Sequence, residues 1–174
     1  MIHVLGLGNV LMGDDGFGPA AVRAFEAEYE AAPDVTVIDI GTPGLDLTPW
    51  LADADRLVIV DTVKCDLPPG TLKIYDKAGV LRYPATARVG PHDPGVKETL
   101  LALEFAGREP RELTLIGVVP EQTEMAVALS PALAAAIEPA VDAIVQALRA
   151  FGVRPVRRAQ PRARVPWWSL AKAG

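Results

Sequence analysis

The strongest constraint on the fold is a regular alternation of short apolar segments with amphipathic ones. The apolar segments have the length and composition of buried strands, and the others repeat their apolar residues with helical spacing. Strands are expected at 2–8, 35–41, 56–63, 71–79 and 112–120, and helices from about residue 15 to 29 and at 45–54, 94–107 and 130–152. Because parallel strands need a crossover connection, this order predicts a mostly parallel twisted sheet with helices on both faces. We therefore expect a single-domain α/β fold, a three-layer α/β/α sandwich.

The ends of two predicted helices carry specific signals. Ser130 is expected to cap the last helix, with Pro131 at its first position and Gly152 just past its end. Pro19 is tolerated only in the first turn of a helix, so the first helix must begin within one turn before it. Segment 71–79 alternates apolar and polar residues and is predicted to be an edge strand.

Composition excludes several classes of protein. Half of the residues are hydrophobic, so the chain as a whole is not disordered. No apolar run reaches the roughly 18–20 residues of a membrane span, and the first apolar stretch is expected to be a strand rather than a signal peptide. Cys65 is the sole cysteine, is expected to be inert, and is typical of a reducing compartment. We expect a cytoplasmic monomer without membrane insertion.

Charge divides the chain at about residue 153. Residues 154–174 contain six basic residues and no acidic one, so residues 1–153 carry a net charge of −11 although the whole chain carries −5. An acidic body argues against nucleic-acid binding, which needs clustered Lys and Arg. We assign 1–153 to the α/β domain and 154–174 to a basic Pro/Arg-rich tail. The tail is expected to be a flexible extension, and the alternative is a segment that docks on an acidic partner or on the body itself.

The loop after the first strand, GLGNVLMGDDGFG, combines many glycines with two adjacent aspartates. Glycine-rich turns at this position commonly hold a phosphate. Here, however, Leu11 replaces the third glycine of the dinucleotide fingerprint, and Asp39 lies 31 residues past Gly8 rather than about 20. Asp14 and Asp15 would also repel a pyrophosphate. The loop is therefore predicted to hold a cation rather than a nucleotide.

Candidate ligands for such a cation occur in three loops. The Asp14-Asp15 pair follows the first strand, Asp61 ends the third, and His92 lies in a loop between glycine and proline residues. Separately, each has an ordinary explanation: a helix cap, an acceptor for backbone amides, and a surface histidine. Together, carboxylates and an imidazole at one edge of a parallel sheet form a donor set suited to a divalent metal with open coordination positions.

In this order, these residues resemble the signatures of the hydrogenase maturation proteases, the endopeptidases that trim the C-terminus of the nickel-iron hydrogenase large subunit. The matching blocks run collinearly through residues 2–150: GLGNVLMGDDGFGP, DIGTPGLDL, LVIVDTV, GPHD, LIGVVPE and LSPAL. Two departures are visible. The segment TEMAVALS lacks a glycine expected ahead of the Leu-Ser pair, and the basic tail lies outside the family core.

The resemblance implies a nickel-recognising triad of Asp15, Asp61 and His92, which would also be the catalytic residues. It implies that the substrate is the nickel-loaded large-subunit precursor and brings the nickel, for which cadmium or zinc could substitute. Asp14 is then expected to cap the first helix or to accept hydrogen bonds from it. Two alternatives remain for the activation of water: by the metal, or by a carboxylate as in an aspartyl-type peptidase. The alternative function is a non-catalytic metal-sensing or chaperone-like partner in hydrogenase assembly.

The loop after the second strand contributes the candidate substrate-binding residues Asp39, Gly41 and Thr42. In the functional interpretation, this loop lies beside the metal site, presents backbone groups to an extended substrate, and places Asp39 against a basic residue near the cut. The ordinary interpretation of the sequence at 41–44, GTPG, is a simple turn.

Overall fold

The computed structural model of the protein describes residues 1–42, 47–52, 54–82 and 95–163. Within these ranges the strands are β1 (Ile2–Leu7), β2 (Tyr29–Glu30), β3 (Val35–Gly41), β4 (Arg56–Thr62), β5 (Leu72–Asp76), β6 (Glu112–Val118) and β7 (Val156–Arg157). The helices are α1 (Phe17–Glu28), α2 (Thr48–Leu51), α3 (Lys77–Arg82), α4 (Val96–Phe105) and α5 (Pro131–Ala150), and a 3-10 turn (Gly13–Gly16) precedes α1.

Five of these strands form one mostly parallel sheet in the order β3-β1-β4-β6-β5. The first four are parallel to one another, and β5 runs antiparallel to β6 at the edge. The carboxyl ends of β1, β3, β4 and β6 therefore lie at the same edge of the sheet, where loops from different parts of the chain meet. The predicted α/β fold is confirmed.

Two apolar clusters cover the two faces of this sheet, as its central strands show. Val58 and Val60 of β4 pack with α1 and α5, whereas Leu57 and Ile59 pack with α2 and α4. Successive strand residues point to opposite faces, so a strand buried on both sides must be apolar throughout. Burying each such side chain contributes roughly 1.5–3 kcal/mol, which makes β4 a rigid base for the residues that follow it.

Helix α1 lies unusually close to the sheet at its first turn. A Cβ atom on Gly18 would overlap the carbonyl oxygens of Leu7 and Val60, and one on Gly6 would lie 2.6 Å from the carbonyl oxygen of Gly18. Real Cβ atoms do not approach backbone so closely, and the helix can lie here only because both residues are glycine. This contact fixes the start of α1, and with it the preceding aspartates, against the ends of β1 and β4.

The predicted ends of α5 are confirmed. The Ser130 side chain accepts a hydrogen bond from the Leu133 N–H at 3.4 Å, Pro131 follows it, and Gly152 has a φ of +86° just past the helix. By length and composition α5 could also cross a membrane, contrary to the expectation that no apolar run is long enough. Its apolar residues, among them Ile144 and Leu148, are buried against α1 and the sheet, as in the core helix of a globular domain.

The prediction of a strand over 71–79 is wrong for the last residues of that segment. The strand β5 stops at Asp76, and residues from Lys77 onward form helix α3. The Asp76 carboxylate accepts a hydrogen bond from the Gly79 N–H at 2.7 Å, which satisfies a donor at the start of the helix. The edge position of β5 is as predicted.

The first part of the basic tail is not a flexible extension, contrary to our expectation. Strand β7 pairs antiparallel with β2, directly after α1. Arg157 forms a salt bridge with Glu28 at 3.2 Å, and Arg158 forms one with Glu30 at 3.2 Å. Docking on the body was the correct alternative here, because the acidic end of α1 attracts these arginines. Residues 164–174, including Trp167 and Trp168, lie outside the described residues.

Candidate active site

The glycine-rich loop after β1 holds Asp15 in a fixed orientation. The Asp15 carboxylate accepts a hydrogen bond from the Asn9 N–H at 2.7 Å. Gly8 has a φ of +129°, and a Cβ atom there would overlap the carbonyl oxygen of Asp15. The glycine thus lets the chain fold back over the 3-10 turn, so that the loop binds its own carboxylate where a nucleotide loop would bind phosphate.

A single threonine joins Asp15 to Asp61. Asp61 is buried near the end of β4, and its Oδ1 accepts a hydrogen bond from the Thr62 N–H at 2.7 Å. The Thr62 hydroxyl donates to Oδ1 of Asp15 at 3.4 Å. The sheet therefore brings the two predicted carboxylates to the same residue, as expected for neighbouring parallel strands. Two carboxylates at one edge of the sheet form a negative site that a cation would stabilise.

Asp14 has a different role from the one predicted. Its side chain is fully buried and accepts hydrogen bonds from the backbone N–H groups of Glu121 (2.9 Å), Gln122 (3.0 Å) and Ser130 (2.6 Å). It makes no side-chain cap to the 3-10 turn or to α1. Asp14 is thus a hydrogen-bond acceptor, but it joins the first loop to the loop after β6 and to the start of α5. The sequence could not reveal this because the donors lie more than 100 residues away.

The third predicted ligand, His92, lies outside the described residues. Within residues 1–42, 47–52, 54–82 and 95–163, no group of three His, Cys, Asp or Glu side chains could hold a metal ion. Asp15 and Asp61 are therefore the described part of the predicted triad, and the contribution of His92 stays a prediction.

The loop after β3 begins beside the first loop. The Gly8 N–H donates to the Gly41 carbonyl at 3.0 Å, and the Gly41 N–H donates to the Asp39 carboxylate at 3.1 Å. Asp39 also lies 3.6 Å from the Arg23 guanidinium. Thr42 is exposed, and residues 43–46 are not described. The predicted substrate loop thus starts next to the glycine-rich loop, with Asp39 turned toward α1.

Charge on this side of α1 is concentrated around Glu26. Partial burial raises the pKa of the Glu26 carboxyl above its usual value, and the nearby Arg23, Arg162 and Arg158 guanidinium groups partly offset this by lowering it. The nearby Asp39 carboxylate also raises the pKa of Glu26. The Glu26 pKa is thus the balance of burial and a mixed set of charges that includes the candidate substrate residue.

Exposed apolar side chains lie on the glycine-rich loop and on the loop after β6. Leu11, Met125 and Val127 are 56%, 88% and 47% exposed. The two loops that carry them are joined by a hydrogen bond from the Ala126 N–H to the Leu11 carbonyl at 3.0 Å. Apolar side chains grouped beside a functional site are typical of a surface that binds another protein. Neither this rim nor Thr62 was predicted from the sequence.

The chain is similar to proteins of known activity. The family model for hydrogenase maturation proteases matches residues 19–147. The hydrogenase 2 maturation protease of Escherichia coli K12 is 39% identical over 160 residues, which cover 90% of this chain and 96% of that protein. The hydrogenase expression/formation protein HupD of Bradyrhizobium diazoefficiens is 38% identical over 163 residues, covering 93% and 85%. The solved structure of the hydrogenase maturating endopeptidase HybD from E. coli superposes with a TM-score of 0.83 at 38% identity, covering 91% of this chain and 98% of that one.

Proposed function

The chain belongs to the hydrogenase maturation protease family and is a peptidase, and we propose that it removes a C-terminal peptide from the nickel-loaded precursor of a nickel-iron hydrogenase large subunit. The observation that supports this proposal is that Thr62 donates a hydrogen bond to Asp15 and another to Asp61 at the carboxyl edge of the sheet. The exposed apolar rim suits a protein substrate.

In this proposal the nickel belongs to the substrate, and Asp15, Asp61 and His92 recognise it. Two carboxylate oxygens and one imidazole nitrogen make a mixed donor set that accepts nickel, and also zinc or cadmium, without strong selectivity. The hydrogen bonds from Asn9 and Thr62 orient the carboxylates before the substrate arrives. Two routes of water activation fit these residues: polarisation of the scissile carbonyl by the substrate's metal, or proton abstraction by a carboxylate.

The decisive experiment mixes the purified protein with nickel-loaded and with metal-free precursor and follows the precursor mass. We expect cleavage of the loaded form alone. A matched control is Asp142→Asn, since Asp142 is exposed on α5 and should leave cleavage unchanged. Equal cleavage of both forms would refute nickel recognition. Absence of cleavage under every metal condition would favour the alternative, a non-catalytic metal-sensing or chaperone-like assembly partner.

A recognition site for substrate-borne nickel should hold free metal weakly. Tight binding usually needs three or four firm ligands, often His or Cys, and here only one imidazole is offered. We therefore expect the purified protein to be largely metal-free after dialysis against a chelator. His92→Ala should abolish binding of added nickel more completely than Asp15→Asn or Asp61→Asn, each of which keeps a polar oxygen. Stoichiometric metal surviving the chelator would point to a conventional metalloprotease.

The loop with Asp39, Gly41 and Thr42 is proposed to hold the extended substrate beside the cut. Its support is the hydrogen bond that joins Gly41 to the glycine-rich loop. Asp39→Asn should slow processing or shift the cut while the protein stays folded, and Asp34→Asn, at an exposed position before the same strand, is the matched control. An unchanged rate and an unchanged peptide mass would refute this role.

We also propose that the protein acts as a monomer in the cytoplasm. Helices cover both faces of the sheet, which supports a self-contained domain. Light scattering of the purified protein and fractionation of cells that express it test the two parts of this proposal separately.

A further inference from the structure

A groove opens between the loop after β4 and the loop after β6. Its volume is about 320 Å³, and it is lined by Lys64, Cys65, Leu67 and Pro69 on one side and by residues 119–123 on the other. This volume is at the low end of the roughly 300–1,000 Å³ of ligand sites. The groove therefore has room for a short stretch of peptide rather than for a folded partner.

The walls of the groove begin next to residues of the candidate active site. One wall begins two residues after Thr62, the residue that bridges Asp15 and Asp61. The other wall begins directly after Val118, which pairs with Thr62 in the sheet. Asp14 holds this second wall through its hydrogen bonds from Glu121 and Gln122. The groove therefore lies at the same edge of the sheet as the two carboxylates.

The walls are preformed by hydrogen bonds within and between the two loops. The Gly70 N–H donates to the Val119 carbonyl at 2.8 Å, and the Val119 N–H donates to the Thr71 carbonyl at 3.0 Å. Gly70 has a φ of +80°, and a Cβ atom there would lie 2.9 Å from the Ala132 carbonyl oxygen. A preformed groove orders little on binding, which favours affinity.

The chemistry of the lining indicates how a peptide would be recognised. Backbone N–H groups along both walls already donate within the protein, namely those of Leu67, Val119, Glu121 and Gln122. Pro69 and Pro120 have no N–H to offer. Addition of a substrate strand through main-chain hydrogen bonds is therefore disfavoured. The exposed Leu67 beside buried Val119 instead offers an apolar seat for a side chain.

We propose that this groove is the subsite for the extended segment of the precursor next to the scissile bond, with one apolar substrate side chain seated against Leu67 and Val119. This inference rests on the proposed function, since it takes the precursor as the occupant. It assigns specificity to residues outside the predicted triad and outside the loop after β3.

The first test is Leu67→Arg, which places a charged side chain in the groove. We expect the KM for nickel-loaded precursor to rise about tenfold while kcat changes by less than about twofold, because binding is lost and the carboxylates are untouched. The matched control is Leu101→Arg on α4. Leu101 is 47% exposed against 40% for Leu67, and it does not line the groove. An unchanged KM, or an equal rise in the control, would overturn the proposal.

The second test does not depend on cleavage. Cys65 lines the groove, is half-buried, and is the single cysteine of the chain, so its alkylation by iodoacetamide reports on occupancy of the groove. We expect saturating precursor to slow alkylation of Cys65 about fivefold or more, measured by mass spectrometry, with serum albumin giving no protection. Protection by precursor and also by the mature large subunit would assign the groove to the retained side of the cut. Protection by precursor alone would assign it to the released side.

The two tests separate the two proposals. If the wild-type protein cleaves the precursor but Cys65 is not protected and Leu67→Arg has a normal KM, the groove assignment is wrong and the proposed function stands. If Cys65 is protected but no cleavage occurs under any metal condition, the groove binds the precursor without a scissile bond beside it, and both the subsite assignment and the proteolytic function are wrong.

Discussion

The two ends of α1 both carry clustered carboxylates, but these are compensated in opposite ways. At the start of the helix, Asp14 and Asp15 receive backbone N–H groups and one hydroxyl, and no lysine or arginine in the described part of the chain forms a salt bridge with either. At its end, Glu28 and Glu30 are paired with arginines of the tail.

The partner of a carboxylate decides whether its charge stays available to a cation. An arginine cancels the charge of the carboxylate it binds, whereas an N–H group orients the carboxylate and leaves its net charge in place. The start of α1 therefore still attracts a cation, and the end of α1 does not. This difference predicts that equivalent substitutions at the two ends act on different properties.

The largest effect is expected for Asp15, at the start of the helix, and for Asp61, which shares Thr62 with it. Asp15→Asn and Asp61→Asn should each lower kcat/KM for nickel-loaded precursor by at least about 100-fold, because each removes a charge that faces the reacting centre. Glu28→Gln makes the same chemical change at the other end and should alter kcat/KM by less than about twofold. A similar loss of kcat/KM in all three variants would contradict the proposed difference between the two ends of α1.

The next largest effect is on the free energy of unfolding, and not on activity alone. Asp14→Ala leaves three N–H groups without their acceptor, one of them buried and two partly buried, so the free energy of unfolding should fall by about 3 kcal/mol. Asp14→Asn keeps one acceptor oxygen and should cost less. Urea denaturation measures both, with Asp142→Ala as an exposed control. A loss below about 1 kcal/mol for Asp14→Ala would show that water replaces the carboxylate.

More of the fold than of the candidate site could be predicted from the sequence. Continuous apolar strands such as 56–63 and strong caps such as Ser130 act within a few residues, and the sequence predicted them. The β2–β7 pair was missed because two-residue strands have no periodicity. The helix after Asp76 was missed because one side-chain hydrogen bond, rather than hydrophobic pattern, ends the strand.

Within the site, the sequence placed Asp15 and Asp61 at one edge because parallel topology alone requires it. The sequence could not show that Thr62 bridges them or that Asp14 binds the loop after β6, because these contacts depend on which loops fold over the edge. The role of His92 stays a prediction from the resemblance.

A smaller effect is expected at the end of α1. Arg157→Ala removes a largely exposed guanidinium from Glu28 and should lower the free energy of unfolding by about 0.5–1 kcal/mol, with cleavage unchanged. Arg154→Ala is the matched control within the same tail. The difference between the two variants should shrink at high salt, which screens exposed pairs. A larger loss in activity than in stability would contradict a purely structural role for the docked tail.

The smallest effect concerns pH. Because burial raises the pKa of Glu26, the folded state holds this proton more tightly than the unfolded state, and stability is lost as pH rises through the interval above the unfolded pKa. Glu26→Gln should therefore flatten the decline in stability as the pH rises above the ordinary carboxyl value of 4.5. Thermal unfolding across this range measures it. An unchanged slope would show that the neighbouring arginines fully offset the burial.

The contacts of Asp14 also have a consequence for the order in which the protein becomes active. Its hydrogen-bond partners lie 107 to 116 residues along the chain, and contacts of such high sequence separation form late because loop closure must precede them. The first loop therefore cannot reach its final arrangement on a ribosome before β6 and the start of α5 have been synthesised and have docked. A nascent chain that carries only the amino-terminal half has both aspartates but no competent protease.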